Sequence, residues 1–242
     1  MSKYFTEADY ENSLLELFEN MGYDYKYGPN IERDFYSPLY QDVLEESIRK
    51  LNPTLPYDAI KEALFKLTNF ENAELVQKNA VFMDYLQNGI EVRYYDKGEQ
   101  RSARVKLADF DTPENNSFIV ANQWTFIENS NKRPDILLFL NGLPVVLVEL
   151  KSPSREEADA SEAYNQIRNY MKEIPSMFIY NCICVMSDQL VSKAGTITSG
   201  TERNHGYVRR PQNAHEGFYA YWADGNPDHI APSRLYFYTK DG

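Results

Sequence analysis

The 242-residue chain is 43% hydrophobic and 14% aromatic, which excludes a disordered polymer and allows one sizeable domain, or one domain plus an appendage. Its net charge of −11 argues against a simple autonomous DNA binder, because non-specific duplex affinity comes from neutralising phosphates with Lys and Arg; a local basic groove, or DNA held by partner subunits, remains open. No apolar run approaches the roughly 18–20 residues that span a bilayer, and the start, Met1-Ser2-Lys3-Tyr4-Phe5, has no basic segment leading into an apolar one, so the expectation is a cytoplasmic protein without membrane attachment.

In chain order, Glu7–Asn20 predicts an amphipathic helix with Leu14, Leu15, Leu17 and Phe18 on its apolar face, Thr6 as N-cap and Gly22 as its stop. Glu7 and Glu11, four apart, share a face of that helix. Ser37-Pro38 predicts the start of a helix through Lys50, since proline is well tolerated in a first turn. Further helices are expected over 57–68 and 73–87, the second closed by Asn88-Gly89. This acidic block reads as a helical layer packed on a sheet. From Ile90 the period becomes two, and residues 91–95 and 103–107 flank an Asp96-Lys97-Gly98-Glu99 turn as a hairpin. Its Arg93, Arg101, Arg104 and Lys106 could face a phosphate backbone, and exposed strand alternation explains them equally well. Ser117–Glu128 predicts another strand, with Asn122-Gln123-Trp124 at its middle.

The informative stretch follows. Ile136–Leu140 and Val145–Leu150 are apolar runs joined through Asn141-Gly142, a dipeptide that supplies the positive φ angles a two-residue hairpin turn requires. Asp135 stands at the outer end of the first strand, and strand alternation puts Glu149 and Lys151 on one face of the second with Leu150 on the other. Folding at the turn returns Asp135 to the neighbourhood of Val148 and Glu149. Charges at the end of such strands are costly unless paired or bound to metal. Two carboxylates offer the hard oxygens that Mg²⁺ prefers, and a lysine can orient or help to deprotonate an attacking water. Together these are the parts for metal-assisted phosphodiester hydrolysis. A lone Glu-x-Lys is more often a solvated strand edge; the upstream Pro134-Asp135, the hairpin and the helix behind are what single it out.

Ser152-Pro153-Ser154 ends the strand and caps a helix over about 155–173, on which Gln166 and Tyr170 share a face. Residues 177–187 form a continuous apolar run suited to a fully buried strand. Cys182 and Cys184, within it, read as buried free thiols because their spacing fits no metal or redox motif. The Gly195–Gly200 glycine spacing suggests a phosphate loop, but Thr201-Glu202 stand where Lys-[Ser/Thr] is needed, so that reading fails. His205, His215 and His229 lack the spacing of a metal site.

Pro134-Asp135 … Glu149-Leu150-Lys151 resembles the PD-(D/E)xK nuclease signature. Arg133-Pro134-Asp135-Ile136, Phe139-Leu140-Asn141-Gly142-Leu143-Pro144, Val148–Pro153 and Gln166-Ile167-Arg168-Asn169-Tyr170 are together similar to the N-terminal nuclease region of the restriction (R) subunit of type I restriction–modification enzymes. The resemblance runs from the first helix to about Thr198 and returns at Arg234–Gly242. It implies an α/β fold, a central mixed β-sheet flanked by helices with a restriction-endonuclease-like core. It implies Mg²⁺-dependent cleavage of double-stranded DNA alongside modification and specificity subunits, with ATP used only by a motor domain for which this chain has no Walker sequence. It assigns Asp135 and Glu149 to the metal, with the Leu150 backbone carbonyl beside them. It assigns Lys151 to the water, and Gln166 and Tyr170 to support or DNA contact. An acidic residue on the first helix joins the site in some such nucleases, and Glu11 is the candidate here, although a solvated helix face is the simpler reading. The implied organisation is a nuclease domain over 1–200, with a helical layer at about 37–89 and a catalytic core at about 90–190. Residues 201–242 would be an insertion and lead-in to the missing motor, as expected for a fragment or an unusually short protein. Two other readings stay open: a non-catalytic module docking a motor onto its methyltransferase partner, and a stand-alone nuclease for other DNA structures.

Overall fold

The structure is a computed structural model that describes residues 6–71, 74–151, 160–187 and 192–199, with 160–163 and 207–208 described for the backbone alone. Expectations about the Ser152-Pro153-Ser154 cap, the helix start at Arg155, the Gly200 end of the glycine pair and the tail histidines lie outside those residues. Seven strands form the central sheet in the order β1 (Asp24–Tyr27), β4 (Phe118–Asn122), β7 (Ile136–Leu140), β8 (Leu143–Leu150), β9 (Ile183–Ser187), β10 (Ser192–Gly195) and β11 (Tyr207–Val208). The β1–β4 and β8–β9 pairs are parallel and the others antiparallel. The sheet is therefore mixed, as expected.

Helices cover both faces, which lets the central strands be apolar on both sides. On one face lies α1 (Glu7–Asn20), whose Leu14, Leu15 and Phe18 pack on Val120, Ile136, Leu138 and Val148. Its start is held by a capping box: Thr6 Oγ1 accepts the Asp9 N–H at 3.2 Å, and the Asp9 carboxylate accepts the Thr6 N–H at 3.0 Å. On the other face, α5 (Ala160–Glu173) and α6 (Pro175–Ile179) set Ile167, Tyr170, Ile174 and Phe178 against Leu137, Phe139, Leu147 and Cys184.

The acidic helices α2 (Gln41–Leu51), α3 (Tyr57–Thr68) and α4 (Leu75–Asn88) build a core of their own with the hairpin β2 (Ile90–Asp96) and β3 (Glu99–Val105). This core meets the central sheet at Leu140, Leu143 and Val145, the turn end of β7–β8. The helical layer thus packs on the β2–β3 sheet and meets the central sheet at the turn end of β7–β8.

Three expected elements differ. The helix placed from Ser37 begins at Gln41, because the Tyr40 N–H is taken by the Gly142 carbonyl at 2.9 Å. The strand expected over 117–128 is cut at Gln123, which adopts φ +54, and resumes only as the short β5 (Phe126–Ile127), paired with β6 (Asn131–Lys132). The run over 177–187 is a strand only from Ile183; Pro175 starts a helical turn in which Phe178 and Ile179 are buried. An apolar run has the same composition whether it is buried as helix or as strand.

The β7–β8 turn has the expected geometry, with Asn141 at φ +52 and Gly142 at φ +81. Next to it is a bulge. Leu140 pairs with Leu143 and Phe139 with Pro144, but Leu138 pairs with Val146 and Ile136 with Val148. One extra residue enters β8 beside Pro144, which has no N–H to give to a ladder.

A methyl group on Gly142 would meet the Leu44 nitrogen and Tyr40 oxygen at 2.6 Å, whereas Gly98, at φ +85 in the β2–β3 turn, has nothing within 4 Å. Gly142→Ala is accordingly expected to destabilise the chain by about 2 kcal/mol or more, and Gly98→Ala by only about 1 kcal/mol. Urea midpoints at constant m-value test this ordering.

Candidate active site

The bulge decides what Asp135 faces. Extending the Ile136–Val148 pair by one step sets Asp135 opposite Glu149, on the sheet face covered by α5. Without the extra residue the turn would have set it opposite Val148. Asp135 Oδ2 accepts the Leu150 N–H at 2.7 Å, and Lys151 Nζ donates to Glu149 Oε1 at 2.9 Å. Glu149 is only 3% exposed. Its other oxygen, Oε2, is buried and accepts no hydrogen bond of normal geometry among the described residues.

The pair is electrostatically crowded. Burial pushes the Asp135 carboxyl up to about 6, against the opposing Leu150 N–H and Lys151, with Glu7 and Glu11 adding to the rise. Burial, then the charge of Asp135, pushes Glu149 up to about 7, against the pull of Lys151. For Lys151 burial acts to lower the value, but the hydrogen bond and charge of Glu149, with Asp135 and Glu7 behind them, hold it above the usual lysine range. Lys151 therefore stays an ammonium.

Gln166 and Tyr170 are brought to the same face. Gln166 Nε2 donates to the Tyr170 hydroxyl at 3.0 Å. That hydroxyl is driven well above the usual phenol range by burial and then by the Glu149 charge, so it stays protonated beside the carboxylate.

Glu11 reaches the sheet from the opposite face. Its Oε1 accepts from Asn122 Nδ2 at 2.6 Å, and Gln123 Nε2 lies 3.4 Å from each of its oxygens. It is thus half-buried and engaged, not on a solvated face. Sequence reasoning assigned no role to four residues that contribute here. Glu7, one turn before Glu11, is the α1 acid whose charge acts on Asp135, Glu149 and Lys151 together; its spacing from Glu11 was the only local hint. Asn122 and Gln123 carry no periodic signal and acquire meaning only where β4 ends beside Asp135. The Tyr10 hydroxyl, 2.7 Å from Ser187 Oγ, ties α1 to the strand whose Ser187 carbonyl accepts the Lys151 N–H at 2.9 Å.

The basic residues of β2–β3 do not converge here. Arg101 pairs with Asp96 at 3.3 Å and Glu99 at 3.6 Å, and Arg104 donates to the Asn88 carbonyl at 3.2 Å. Arg93 and Arg104 line a surface cleft of about 600 Å³ against Glu62, Asp84 and Glu91, between α3, α4 and the β2–β3 hairpin. Cys182 and Cys184 are free thiols, Cys184 buried and Cys182 against Met83, as expected. No helix among the described residues is long and apolar enough to cross a membrane.

A cation fits the Asp135–Glu149 end. It would satisfy the orphaned Glu149 Oε2 and relieve the repulsion between the carboxylates. Among the described residues no group of three or more His, Cys, Asp or Glu side chains is gathered as a metal cage. The donor set is therefore two carboxylates, which suits Mg²⁺, an ion that keeps several waters and binds through one or two carboxylates plus phosphate.

Comparison with known proteins identifies a family for the chain. The family model described as the type I restriction enzyme R protein N terminus matches residues 4–203. The chain is 35% identical over 207 residues to the type I restriction enzyme HindI endonuclease subunit of Haemophilus influenzae, covering 81% of this chain and 20% of that protein. It is 32% identical over 203 residues to a provisionally named type I restriction enzyme MjaIXP endonuclease subunit of Methanocaldococcus jannaschii, covering 80% and 19%. A Staphylococcus aureus type I restriction enzyme endonuclease subunit, SauMSSORF170P, is 29% identical over 178 residues, covering 70% and 17%. The chain thus spans about a fifth of the length of the curated relatives it matches.

The raised carboxyls make the metal-free chain pH-sensitive. Between the ordinary carboxylate range, about pH 4, and the folded-state values near 6 and 7, the folded chain holds more protons than the unfolded one. Stability from this pair is therefore greatest at low pH and is lost as pH rises through that window, by on the order of a few kcal/mol. Urea unfolding in chelator is expected to show this fall between pH 5 and pH 8, and Glu149→Gln is expected to flatten it. An unchanged slope in the variant would remove the pair as its source.

Proposed function

The chain belongs to the type I restriction enzyme R protein N-terminus family, and from that premise we propose that it is the endonuclease part of such an enzyme, hydrolysing phosphodiester bonds of double-stranded DNA with Mg²⁺. The observation that carries this reading is a half-buried Asp135 and a buried Glu149 set together on one sheet face, with Lys151 Nζ 2.9 Å from Glu149. Two acids held out of water are costly, and one ammonium compensates for only one of them. A docking surface has no use for that arrangement.

Asp135, Glu149 and the Leu150 carbonyl would hold the ion. The Leu150 N–H already points at Asp135, and in an extended strand the carbonyl of the same residue points to the same side. When bound, Mg²⁺ supplies Lewis-acid stabilisation of phosphoryl oxygens and lowers the pKa of water. Lys151, as an ammonium, donates: it orients the attacking water and neutralises charge that develops on the phosphate, but it does not take the proton at Nζ. Tyr170, protonated and steadied by Gln166, closes the α5 side of the site and keeps water from the Glu149 carboxylate. The relatives' names describe them as subunits, so DNA cleavage by this chain would proceed alongside modification and specificity subunits, which supply duplex affinity that a chain of net charge −11 does not.

Asp135→Ala, Glu149→Ala and Lys151→Ala are each expected to lower cleavage by about 100-fold or more with unchanged far-ultraviolet circular dichroism. Calorimetric Mg²⁺ titration separates their roles, with binding lost in the two acid variants and retained in Lys151→Ala. A Glu149→Ala protein that nicks supercoiled DNA at the wild-type rate would refute the assignment. Metal binding without cleavage by the wild-type chain alone would mark a site that waits for its partner subunits.

A further inference from the structure

The end of β4 holds a polar arrangement that the cleavage chemistry does not use. Asn122, the last residue of β4, is 6% exposed and has both side-chain atoms engaged: Nδ2 donates to Glu11 at 2.6 Å, and Oδ1 accepts the Tyr25 hydroxyl at 3.0 Å. These bonds join α1, β1 and β4. The next residue, Gln123, leaves the sheet at φ +54, a left-handed conformation that a non-glycine residue keeps only when its surroundings enforce it. Before the turn, its N–H closes the pairing with β7 by donating to the Asp135 carbonyl at 3.3 Å, one step beyond the Asn122–Ile136 pair. The surroundings are on hand. Gly28 packs so close beneath that a methyl on it would meet the Gln123 and Asn122 carbonyl oxygens at 2.7 and 2.8 Å. Beyond the turn, the Arg33 guanidinium donates to the Thr125 carbonyl and stacks 3.8 Å from the centre of the Trp124 ring. From the α1 side the Glu11 carboxylate takes Asn122 and faces Gln123.

We propose that Glu11 is a positioning residue of the cleavage site and not one of its metal ligands: acting through Asn122 and Gln123, its carboxylate holds the end of β4 in the left-handed turn that fixes the backbone of Asp135. This rests on the proposed metal site at Asp135 and Glu149. The two roles differ chemically. A ligand must keep its negative charge and turn an oxygen to the ion, whereas a positioning residue needs only an oxygen that accepts from Asn122. Glutamine keeps that oxygen and loses the charge.

The test uses the 242-residue chain, with Mg²⁺ affinity read by calorimetry and exchange of the Gln123 amide read by NMR. Glu11→Gln is expected to bind Mg²⁺ within about threefold of wild type, while Glu11→Ala and Asn122→Ala weaken it by about tenfold or more, the usual cost of removing a group that orients a ligand. In the two alanine variants the Gln123 amide exchanges faster; in Glu11→Gln it does not. If Glu11→Gln loses as much Mg²⁺ affinity as Glu11→Ala, Glu11 is a ligand and the proposal is overturned. It is equally overturned if Glu11→Ala leaves both affinity and exchange unchanged. A wild-type chain that binds no Mg²⁺ counts against the metal site itself, and the exchange comparison then decides the clamp alone.

Discussion

The site depends on the register of β7 and β8, and that register is set by two adjacent devices. The Asn141-Gly142 turn closes the hairpin with both residues at positive φ. The bulge beside Pro144 then shifts the pairing by one residue. A one-residue shift moves every following side chain of a strand to the other face. Here it changes the partner of Asp135 from Val148 to Glu149 and puts the two carboxylates on the face that α5 covers. The bulge sits near the turn, yet its consequence is felt at the far end of the strands. Gly142 is locked in turn by the Tyr40 N–H and the start of α2, so the acidic helical core braces the register from the end opposite the chemistry.

Charge is handled unequally across the molecule. On the helical core and the β2–β3 hairpin, acids and bases meet in exposed pairs such as Arg49–Glu45 and Arg101–Asp96, which are worth little individually. At the sheet end the opposite holds. Asp135 is half-buried and Glu149 buried, with the Lys151 ammonium bonded to Glu149, and Glu7 adds further negative potential from the first turn of α1. The result is an excess of negative charge beside a buried Glu149 oxygen that accepts no hydrogen bond of normal geometry among the described residues.

Around that site the two faces of the sheet divide the labour. From the α5 face, Tyr170 and Gln166 shield Glu149. From the α1 face, Glu11 grips Asn122 and Gln123, and Tyr10 reaches Ser187, so the helix is fastened to the strand ends on both sides of Asp135. Gln123 donates the last β4 bond, to the Asp135 carbonyl, and its left-handed φ then takes the chain out of the sheet. An irregular residue at this position is consistent with local strain being kept where geometry matters most.

Much of this was legible in the residues themselves. Thr6 to Gly22 marks a capped helix, Asn141-Gly142 marks a two-residue turn, and the alternation of Glu149, Leu150 and Lys151 marks a shared face, because capping, positive φ and strand period are local properties. Gln166 and Tyr170 meet for the same reason, one helical turn apart. What the chain could not announce is non-local. The onset of α2 was moved by the Gly142 carbonyl, the strand after Ser117 was broken by contacts from Gly28 and Glu11, and the run from Met177 was divided because an apolar segment is equally content to be buried as helix or as strand. The sequence by itself singled out Asp135, Glu149 and Lys151 as the candidate site and placed Glu149 and Lys151 on one strand face, because strand period is a local property. Only the tertiary structure decided that Asp135 faces Glu149, that Glu11 serves Asn122, and that the charges of Glu7 and Glu11 bear on Asp135, since each depends on how elements far apart in the chain come to rest against one another.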